Sequence, residues 1–292
     1  LLNDLDVRSG TDNRGLYSII GLYDINDRFV GAQRIYENYW EDDKGRRTNK
    51  NFIRGTLFKD DATDLPYGTH RLVGRIDPNQ PILFCEGVAD SGTDRAATGL
   101  PVVICLNKGN LYHVVGLYRQ KYPNTRLIIA HDNDIYNKNK GNVGFAAALD
   151  AARDHNAEYV GPDFRGLNTE TKPTDFNDLE KIAGLDVVRN QIRNVRVPPA
   201  DPLEFHKLKI QVVGLDNLER QINSAIDEII ANGSHGADDN RLFRMLLLRA
   251  TLAYGHDDVI EALGERAKNV LASKADQNIE QKEETRFPVS IS

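Results

Sequence analysis

The chain has 292 residues, of which 40% are hydrophobic and 27% charged, and its formal net charge is −6. This composition excludes collagen-like, coiled-coil and wholly disordered chains, and the mild acidity argues against a histone-like DNA binder. No stretch reaches the roughly 18 uncharged apolar residues that a membrane helix requires. Two cysteines exclude a disulfide framework and a four-cysteine zinc site. We expect Cys85 and Cys105 to be small core residues of a reduced, cytoplasmic protein.

Residues 1–80 are predicted to form a small, basic, mostly-β subdomain. Strand-like runs at 17–23 and 28–36 flank the turn-forming segment 24–27, which is a hairpin pattern, and a further strand is expected at 52–58. Residues 44–75 contain eight Lys or Arg and three Asp, so their local charge is +5. The sequence therefore predicts a positively charged surface here.

Residues 81–195 show a different pattern, in which apolar strands alternate with helices. Strands are predicted at 82–85, 102–105, 126–130 and 158–160, and helices at 111–121 and 145–152. This alternation predicts an α/β domain with a doubly wound parallel sheet, and strands that are apolar throughout indicate that helices cover both faces. Asn110 is expected to cap the first of these helices.

A Pro-rich boundary at 197–206 precedes a helical bundle predicted over 205–272. Apolar stripes with helical spacing occupy 218–229, 242–250 and 259–270. These stripes are interpreted as a core, although a docking surface for a helicase remains open. The polar residues 273–292 are predicted to be a mobile tail.

Carboxylates follow the predicted strands at the points where the strands end. Glu86 comes directly after strand 82–85, Asp132 and Asp134 follow strand 126–130, and a third acidic group after strand 158–160 contains Asp163, Asp175 and Asp178. The carboxyl ends of parallel strands lie at one edge of a sheet, where α/β sheets bind ligands. Two such charges about 5 Å apart repel by roughly 3 kcal/mol, and divalent cations remove this cost. Oxygen ligands without a Cys/His cage indicate Mg²⁺ or Mn²⁺, not zinc.

The pair Glu86-Gly87 and Asp132-X-Asp134, separated by β/α structure, resembles the TOPRIM domain that primases and topoisomerases share. Finer similarity is to DNA primases of bacteria, phages and conjugative plasmids. The segments that carry this resemblance are 81–90, 98–103, 108–111, 122–123, 142–148, 162–164 and 174–179, with a looser likeness over 17–80 at 31–35 and 50–55. No family signature is seen after about residue 200.

The resemblance implies roles for individual residues. Glu86 would be a catalytic acid/base or metal-site carboxylate, and Asp132 and Asp134 would be catalytic metal ligands. Asp90, Asp175 and Asp178 would be further carboxylates of the metal site. The residues implied in nucleotide or template binding are Arg46, Arg47, Lys50, Arg54, Lys108 and Asn110. His131 is expected to pack behind the site and not to act in catalysis.

The implied function is a DNA primase catalytic core that joins NTPs into short oligoribonucleotides on single-stranded DNA during phage or plasmid replication. The TOPRIM domain would cover 81–195 and hold two or more Mg²⁺ or Mn²⁺ ions. Such primases usually carry a zinc-binding module, which is absent here, so no zinc is expected. No P-loop occurs, so a replicative helicase would be a separate domain or protein. No membrane partner is expected.

Two other functions remain open from the sequence. One is a TOPRIM nuclease or topoisomerase that cleaves DNA, for which Tyr254 would be the available nucleophile. The other is a non-catalytic module that binds single-stranded DNA or loads a helicase, with TOPRIM as a scaffold. Metal-dependent nicking without NTPs would favour the first, and binding without metal dependence the second.

Overall fold

A computed structural model of the chain describes residues 7–42, 45, 47–54, 66–233 and 238–271. The predictions for Arg46, for the last four residues of the strand expected at 52–58, and for the tail 273–292 lie outside these residues. The described part is mixed α/β, with an antiparallel sheet, a mainly parallel sheet between helices, and a helical region.

The first sheet is an antiparallel meander in the order β1-β2-β3-β4. Its strands are β1 (Arg8–Asp12), β2 (Gly15–Tyr23), β3 (Phe29–Glu41) and β4 (Arg47–Arg54). Asp24 fixes the turn between β2 and β3 because its carboxylate accepts hydrogen bonds from the Asn26 and Arg28 backbone N–H groups. The predicted hairpin is therefore confirmed.

The second sheet has the order β5-β7-β6-β8-β9. Its strands are β5 (Arg71–Val73), β6 (Ile82–Cys85), β7 (Val102–Ile104), β8 (Leu127–Ala130) and β9 (Glu158–Val160). Four of them are parallel, whereas β5 pairs antiparallel with β7 at the edge. The predicted parallel sheet thus gains an antiparallel edge strand from the segment that precedes it.

Helices cover both faces of this sheet. They are α1 (Val88–Thr98), α2 (Lys108–Lys121), α3 (Val143–Asp154), α4 (Phe176–Ala183) and α5 (Leu185–Ile192). Within β6, Leu83 and Cys85 face the core that includes α4 and α5, and Ile82 and Phe84 face the core under α2 and α3. Both cysteines are free and buried, as expected.

Helix α2 begins earlier than the sequence indicated, and its cap is a different residue. Asn107 caps it by accepting a hydrogen bond from the Asn110 backbone N–H. The prediction that Asn110 is the cap was wrong, because the Asn110 side chain is drawn into tertiary contacts. It accepts a hydrogen bond from Gly68 N and donates to the carbonyls of Thr69 and Cys105.

The helical region packs around a core of its own. It contains α6 (Pro202–Ile210), a short 3-10 turn (Leu215–Asn217), α7 (Leu218–Ala231), α8 (Asp239–Tyr254), α9 (His256–Leu263) and α10 (Glu265–Leu271). Helix α6 starts inside the predicted boundary, because Asp201 caps it and Pro202 is tolerated in the first turn. Gly264, at φ +66°, divides the third predicted stripe into α9 and α10. No helix in the described ranges has the length and apolar character needed to cross a membrane.

The loop after β8 is docked onto the helical region through two glycines. A Cβ on Gly141 would lie 2.3 Å from Gly214 N, and a Cβ on Gly214 would lie 2.4 Å from Gly141 N. Backbone hydrogen bonds join Leu215 N to Lys138 O and Asn142 N to Val212 O. The segment that follows Asp134 is therefore held by residues from the C-terminal half of the chain.

Candidate active site

Carboxylates that follow β6 and β8 lie at the carboxyl edge of the second sheet, close enough to affect one another's pKa values. The pKa of Asp132 is raised to about 8. Burial is the largest cause, and the charges of Glu86, Asp90, Asp134 and Asp175 are the others. Burial also raises the pKa of Glu86, and the Asp134 charge adds to this effect against the opposing charge of Lys108. The sheet thus brings together acidic residues that are far apart in sequence.

Helix α1 adds a further acidic residue, which is buried in the protein interior. Asp90 lies in its first turn, where burial and then the charges of Asp175 and Glu86 raise the pKa of this carboxyl to about 7. Gly87 provides the space for it, because a Cβ there would lie 2.7 Å from Asp90 Oδ2. Within the described residues, Asp90 Oδ1 is buried without a hydrogen-bond partner.

Asp94 is a further carboxylate that the sequence analysis missed. It lies one helical turn beyond Asp90 and is fully buried, and neither of its oxygens has a hydrogen-bond partner among the described residues. Burial, followed by the charges of Asp90, Asp175 and Asp132, raises its pKa well above the usual range. The four-residue spacing from Asp90 is the signal that could have identified it.

Asp175 and Asp178 begin α4, where they have helix-capping roles. The Asp175 carboxylate accepts a hydrogen bond from Asp178 N, and the Asp178 carboxylate accepts one from Thr174 N. Asp178 also forms an ion pair of 3.2 Å with Lys181. Of the two, Asp175 interacts with the buried acids, since its charge raises the pKa values of Asp90, Asp94 and Asp132.

Two lysines flank the carboxylates. Lys108 Nζ lies 3.6 Å from Asp134 Oδ2, and its side chain remains 45% exposed. Lys50 is exposed on β4, and its positive charge lowers the pKa values of Glu86 and Asp90 against the effect of burial. The first sheet therefore contributes a cation to the edge of the second.

The other basic predictions have different outcomes. Arg47 is exposed and stacks on the ring of Tyr39, with its guanidinium carbon 4.7 Å from the ring centroid. Arg54 ends β4, and its side chain lies outside the described part of the structure, as does all of Arg46. Asn110 is 2% exposed, and its side-chain amide forms hydrogen bonds with Gly68, Thr69 and Cys105, while its role in nucleotide or template binding stays a prediction.

The Asp132–Asp134 segment is fixed by hydrogen bonds from two sides. Asn142 caps α3, and its side chain also accepts a hydrogen bond from Asp134 N and donates one to Asn133 Oδ1. Asn133 N donates to the carbonyl of Thr174, directly before Asp175. This network couples the position of Asp134 to the starts of α3 and α4.

Tyr254, the nucleophile that the topoisomerase alternative would use, has a structural role. It is 8% exposed, and its hydroxyl donates to the carbonyl of Ile210 and accepts from Gly214 N. The hydroxyl is therefore engaged in holding α6 and the Gly214 turn to α8.

The site has the donor chemistry of a hard cation, without a preformed cage. In the described ranges, no three His, Cys, Asp or Glu side chains are placed so that they could hold one metal ion. The acids at this edge nevertheless interact, because burial and then neighbouring carboxylate charges raise the pKa values of Glu86, Asp90 and Asp132. Such oxygen donors fit Mg²⁺ or Mn²⁺, and holding an ion requires these side chains to turn toward a common point.

No known family model matches the sequence. Comparison of the fold finds similarity to solved primase structures. One is a DNA primase domain from Pseudomonas aeruginosa, with 12% identity and a TM-score of 0.44 over 91% of this chain and 78% of that one. Another is the Aquifex aeolicus primase with its zinc-binding and RNA polymerase domains, with 15% identity and a TM-score of 0.41 over 90% of this chain and 59% of that one.

A third similar structure is a DnaG primase catalytic domain bound to single-stranded DNA. Its identity to this chain is 13% and its TM-score is 0.40, over 92% of this chain and 76% of that one. At this level of identity and structural similarity, the three neighbours do not show what this chain does.

Proposed function

We propose that this chain is the catalytic core of a TOPRIM-type DNA primase that joins ribonucleotides on single-stranded DNA. The observation that carries the proposal is the grouping of the acids that follow β6 and β8, because burial, and then the charges of Glu86, Asp90, Asp134 and Asp175, raise the pKa of Asp132 to about 8. Grouped carboxyl oxygens of this kind are the donors that Mg²⁺ and Mn²⁺ prefer, and such ions assist phosphoryl transfer. The TOPRIM-like motifs at Glu86-Gly87 and Asp132-X-Asp134 support the same function.

Glu86, Asp132 and Asp134 are the residues that we propose hold the metal, with Asp90 and Asp175 as additional carboxylates. When bound, Mg²⁺ or Mn²⁺ lowers the pKa of an attacking hydroxyl and stabilises a departing pyrophosphate. Asp178 is assigned to the support of Asp175, because its carboxylate accepts a hydrogen bond from the backbone N–H of the preceding residue, Thr174, and pairs with Lys181.

Lys108 and Lys50 are proposed to bind the phosphates of the incoming NTP. Both are exposed cations next to the carboxylates, and Lys108 pairs with Asp134. A triphosphate competes for this lysine, which frees the Asp134 carboxylate to turn toward a metal. The template is proposed to bind the basic segment 44–75, of which residues 44, 46 and 55–65 lie outside the described part of the structure, and its binding should weaken steeply with salt.

Primer synthesis is the direct test. The chain is incubated with single-stranded DNA, labelled NTPs and Mg²⁺ or Mn²⁺, and the products are separated on a denaturing gel. Short oligomers from the wild type and none from Glu86→Gln are expected. Asp257→Asn is the matched control, because its carboxylate is fully exposed in the helical region, where it lies 3.1 Å from His256 Nδ1.

The result that contradicts the proposal is equal synthesis by wild type and Glu86→Gln. Metal-dependent DNA nicking without NTPs would instead indicate the nuclease alternative, and DNA binding without chemistry would indicate the scaffold alternative. A role in phage or plasmid replication, with a helicase as a separate partner, is part of the proposal.

A further inference from the structure

A cavity of about 800 Å³ lies behind the segment that carries Asp132 and Asp134. Asn133, between the two acids, lines this cavity together with His131, and neither acid does. Residues 131–134 therefore separate two regions, with the carboxylates on one side and the cavity on the other. None of the functions proposed above uses the cavity.

One wall of the cavity is aromatic. The rings of His131 and Phe145 are stacked, with centroids 4.6 Å apart and planes 3° from parallel, and Tyr159 lies 5.5 Å from Phe145. Tyr136 is 38% exposed and Ile135 56% exposed, and both line the same cavity. An exposed tyrosine beside a stacked aromatic wall offers a flat ring system a place to stack.

The space next to this wall depends on Gly161. A Cβ at that position would lie 2.2 Å from His131 Cε1. A hydrogen bond also holds the His131 ring, because its Nδ1 lies 2.8 Å from the carbonyl oxygen of Asp132. The ring orientation is therefore set by its surroundings before any ligand arrives.

The cavity is also lined by a cation. Arg196 lines it, and its positive charge acts on His131, Tyr159 and Asp163. No ion pair joins the Arg196 guanidinium to an acidic side chain in the part of the chain that the structure describes. Arg165, by contrast, is held by Asp163 at 2.6 Å.

Amide groups complete the lining. The Gln191 side chain accepts a hydrogen bond from Asp163 N and donates one to Asp163 O, and Asn133 Nδ2 donates to Pro162 O. Asn194 also lines the cavity, and its Nδ2 donates to Asn190 O, which leaves its amide oxygen as an acceptor. A planar ring with polar edges and an attached anion fits this lining, because the ring can stack on the aromatic wall, its edges can bond to the amide groups, and the anion can pair with Arg196.

We propose that this cavity binds a nucleotide, with its base against Tyr136 and Phe145 and its phosphate at Arg196. The site is separate from the Lys50 and Lys108 side of the carboxylates, so it is a second nucleotide site and does not depend on the primase activity. A bound nucleotide contacts His131 and Asn133. These two residues belong to the backbone segment that positions Asp132 and Asp134, so the nucleotide can affect the position of both acids. The nucleotide is either free in solution or part of a single strand.

Binding is measured in EDTA, so that the carboxylates cannot hold a metal-bound phosphate. ATP is titrated by calorimetry, and a fluorescent 5′-phosphorylated ten-nucleotide DNA strand is titrated by anisotropy. We expect at least one of them to bind the wild type, and the one that binds identifies the source. Arg196→Ala and Tyr136→Ala should each weaken this binding by about tenfold or more, as loss of a charged contact or a stacking contact does.

Two controls make the result specific. Arg193→Ala removes a nearby exposed guanidinium that does not line the cavity and should leave binding unchanged. Glu86→Gln should retain binding even though the proposed primer synthesis is lost, so failure of one proposal is distinguishable from failure of the other. Thermal melting of each variant establishes that it is folded.

Photolabelling with 8-azido-ATP in EDTA locates the base directly. Peptides that contain Tyr136, Phe145 or Tyr159 should carry the label, and excess ATP should remove it. The proposal is overturned if neither probe binds at millimolar ATP or at high-micromolar DNA. It is equally overturned if Arg193→Ala weakens binding as much as Arg196→Ala, or if the label falls only near Lys50 or Lys108.

Discussion

The acids that follow β6 and β8 differ from the acid that follows the neighbouring strand β9. Asp132 and Asp90 are surrounded by other carboxylates, and their pKa values are raised to about 8 and about 7. Asp163, at the end of β9, accepts hydrogen bonds from the side chain and backbone of Arg165, which lower its pKa. A position after a strand therefore does not by itself raise the pKa of an acid. The differences are burial, which is the largest cause of the raised pKa values of Asp132 and Asp90, and the Arg165 side chain, which pairs with Asp163.

The largest expected effect comes from removing one acid of each kind. Asp132→Asn should reduce primer synthesis by roughly a thousandfold, because a buried group at the reacting centre is lost. Asp163→Asn should change the rate by less than about threefold, as expected for an exposed ion pair. Initial rates at saturating NTP measure both. Equal losses in the two variants would show that the difference between the two strand ends has no catalytic meaning.

The two kinds of acid should also give opposite dependences of stability on pH. Raised pKa values favour the protonated carboxyl in the folded state, so the contribution of Asp132 and Asp90 is complete below about pH 4 and is lost as the pH rises through 7 and 8. The lowered pKa of Asp163 contributes stability above about pH 4, which is lost as the pH falls.

Thermal melting in EDTA should therefore show Tm falling by roughly 5 °C between pH 5 and pH 8. Asp132→Asn, which mimics the protonated acid, should reduce this fall and melt higher than wild type at pH 8. Mg²⁺ should restore the wild-type Tm at pH 8 and have less effect on the variant. A wild-type Tm that stays constant from pH 5 to 8 would contradict the electrostatic account of the site.

A single added methyl group should test how closely Asp90 is placed. In Gly87→Ala the new Cβ would lie 2.7 Å from Asp90 Oδ2, so the carboxylate must move. We expect about a tenfold loss of synthesis, equivalent to about 1.4 kcal/mol in the barrier. Asp90→Asn measured in parallel shows the loss when the charge itself is absent. Full activity of Gly87→Ala would mean that the position of Asp90 is not critical.

The smallest expected effect concerns the flanking lysine. Lys108→Gln should raise the KM for NTP a few-fold and leave Tm nearly unchanged, because both partners of the Lys108–Asp134 pair are partly exposed. Lys138→Gln, which removes an exposed lysine paired with Asp258, is the matched control. A change in KM that is the same in both variants would remove the specific role of Lys108.

The sequence was sufficient to predict the four parallel strands of the second sheet and the edge at which Glu86 and Asp132 meet, because apolar strands and the residues that end them are local features, but it did not predict the antiparallel strand β5. It did not reveal that Asp94 is fully buried without partners, since burial depends on how α1 packs against α4 and α5. The Asn110 prediction failed for the same kind of reason. Its partners Gly68 and Thr69 lie 42 and 41 residues away, and no spacing rule connects them. Asp163 was grouped with the site acids, although Arg165 two residues later could have indicated a local pair.

The contact between Gly141 and Gly214 bears on how this molecule can be divided. Each glycine occupies space that a side chain on the other would need, and the two lie on opposite sides of α6 in the chain. A fragment that stops before residue 205 would leave the loop after Asp134 without its docking surface. The helical region therefore cannot be replaced by an unrelated domain without loss of this contact, and insertions should avoid the loops that contain Gly141 and Gly214.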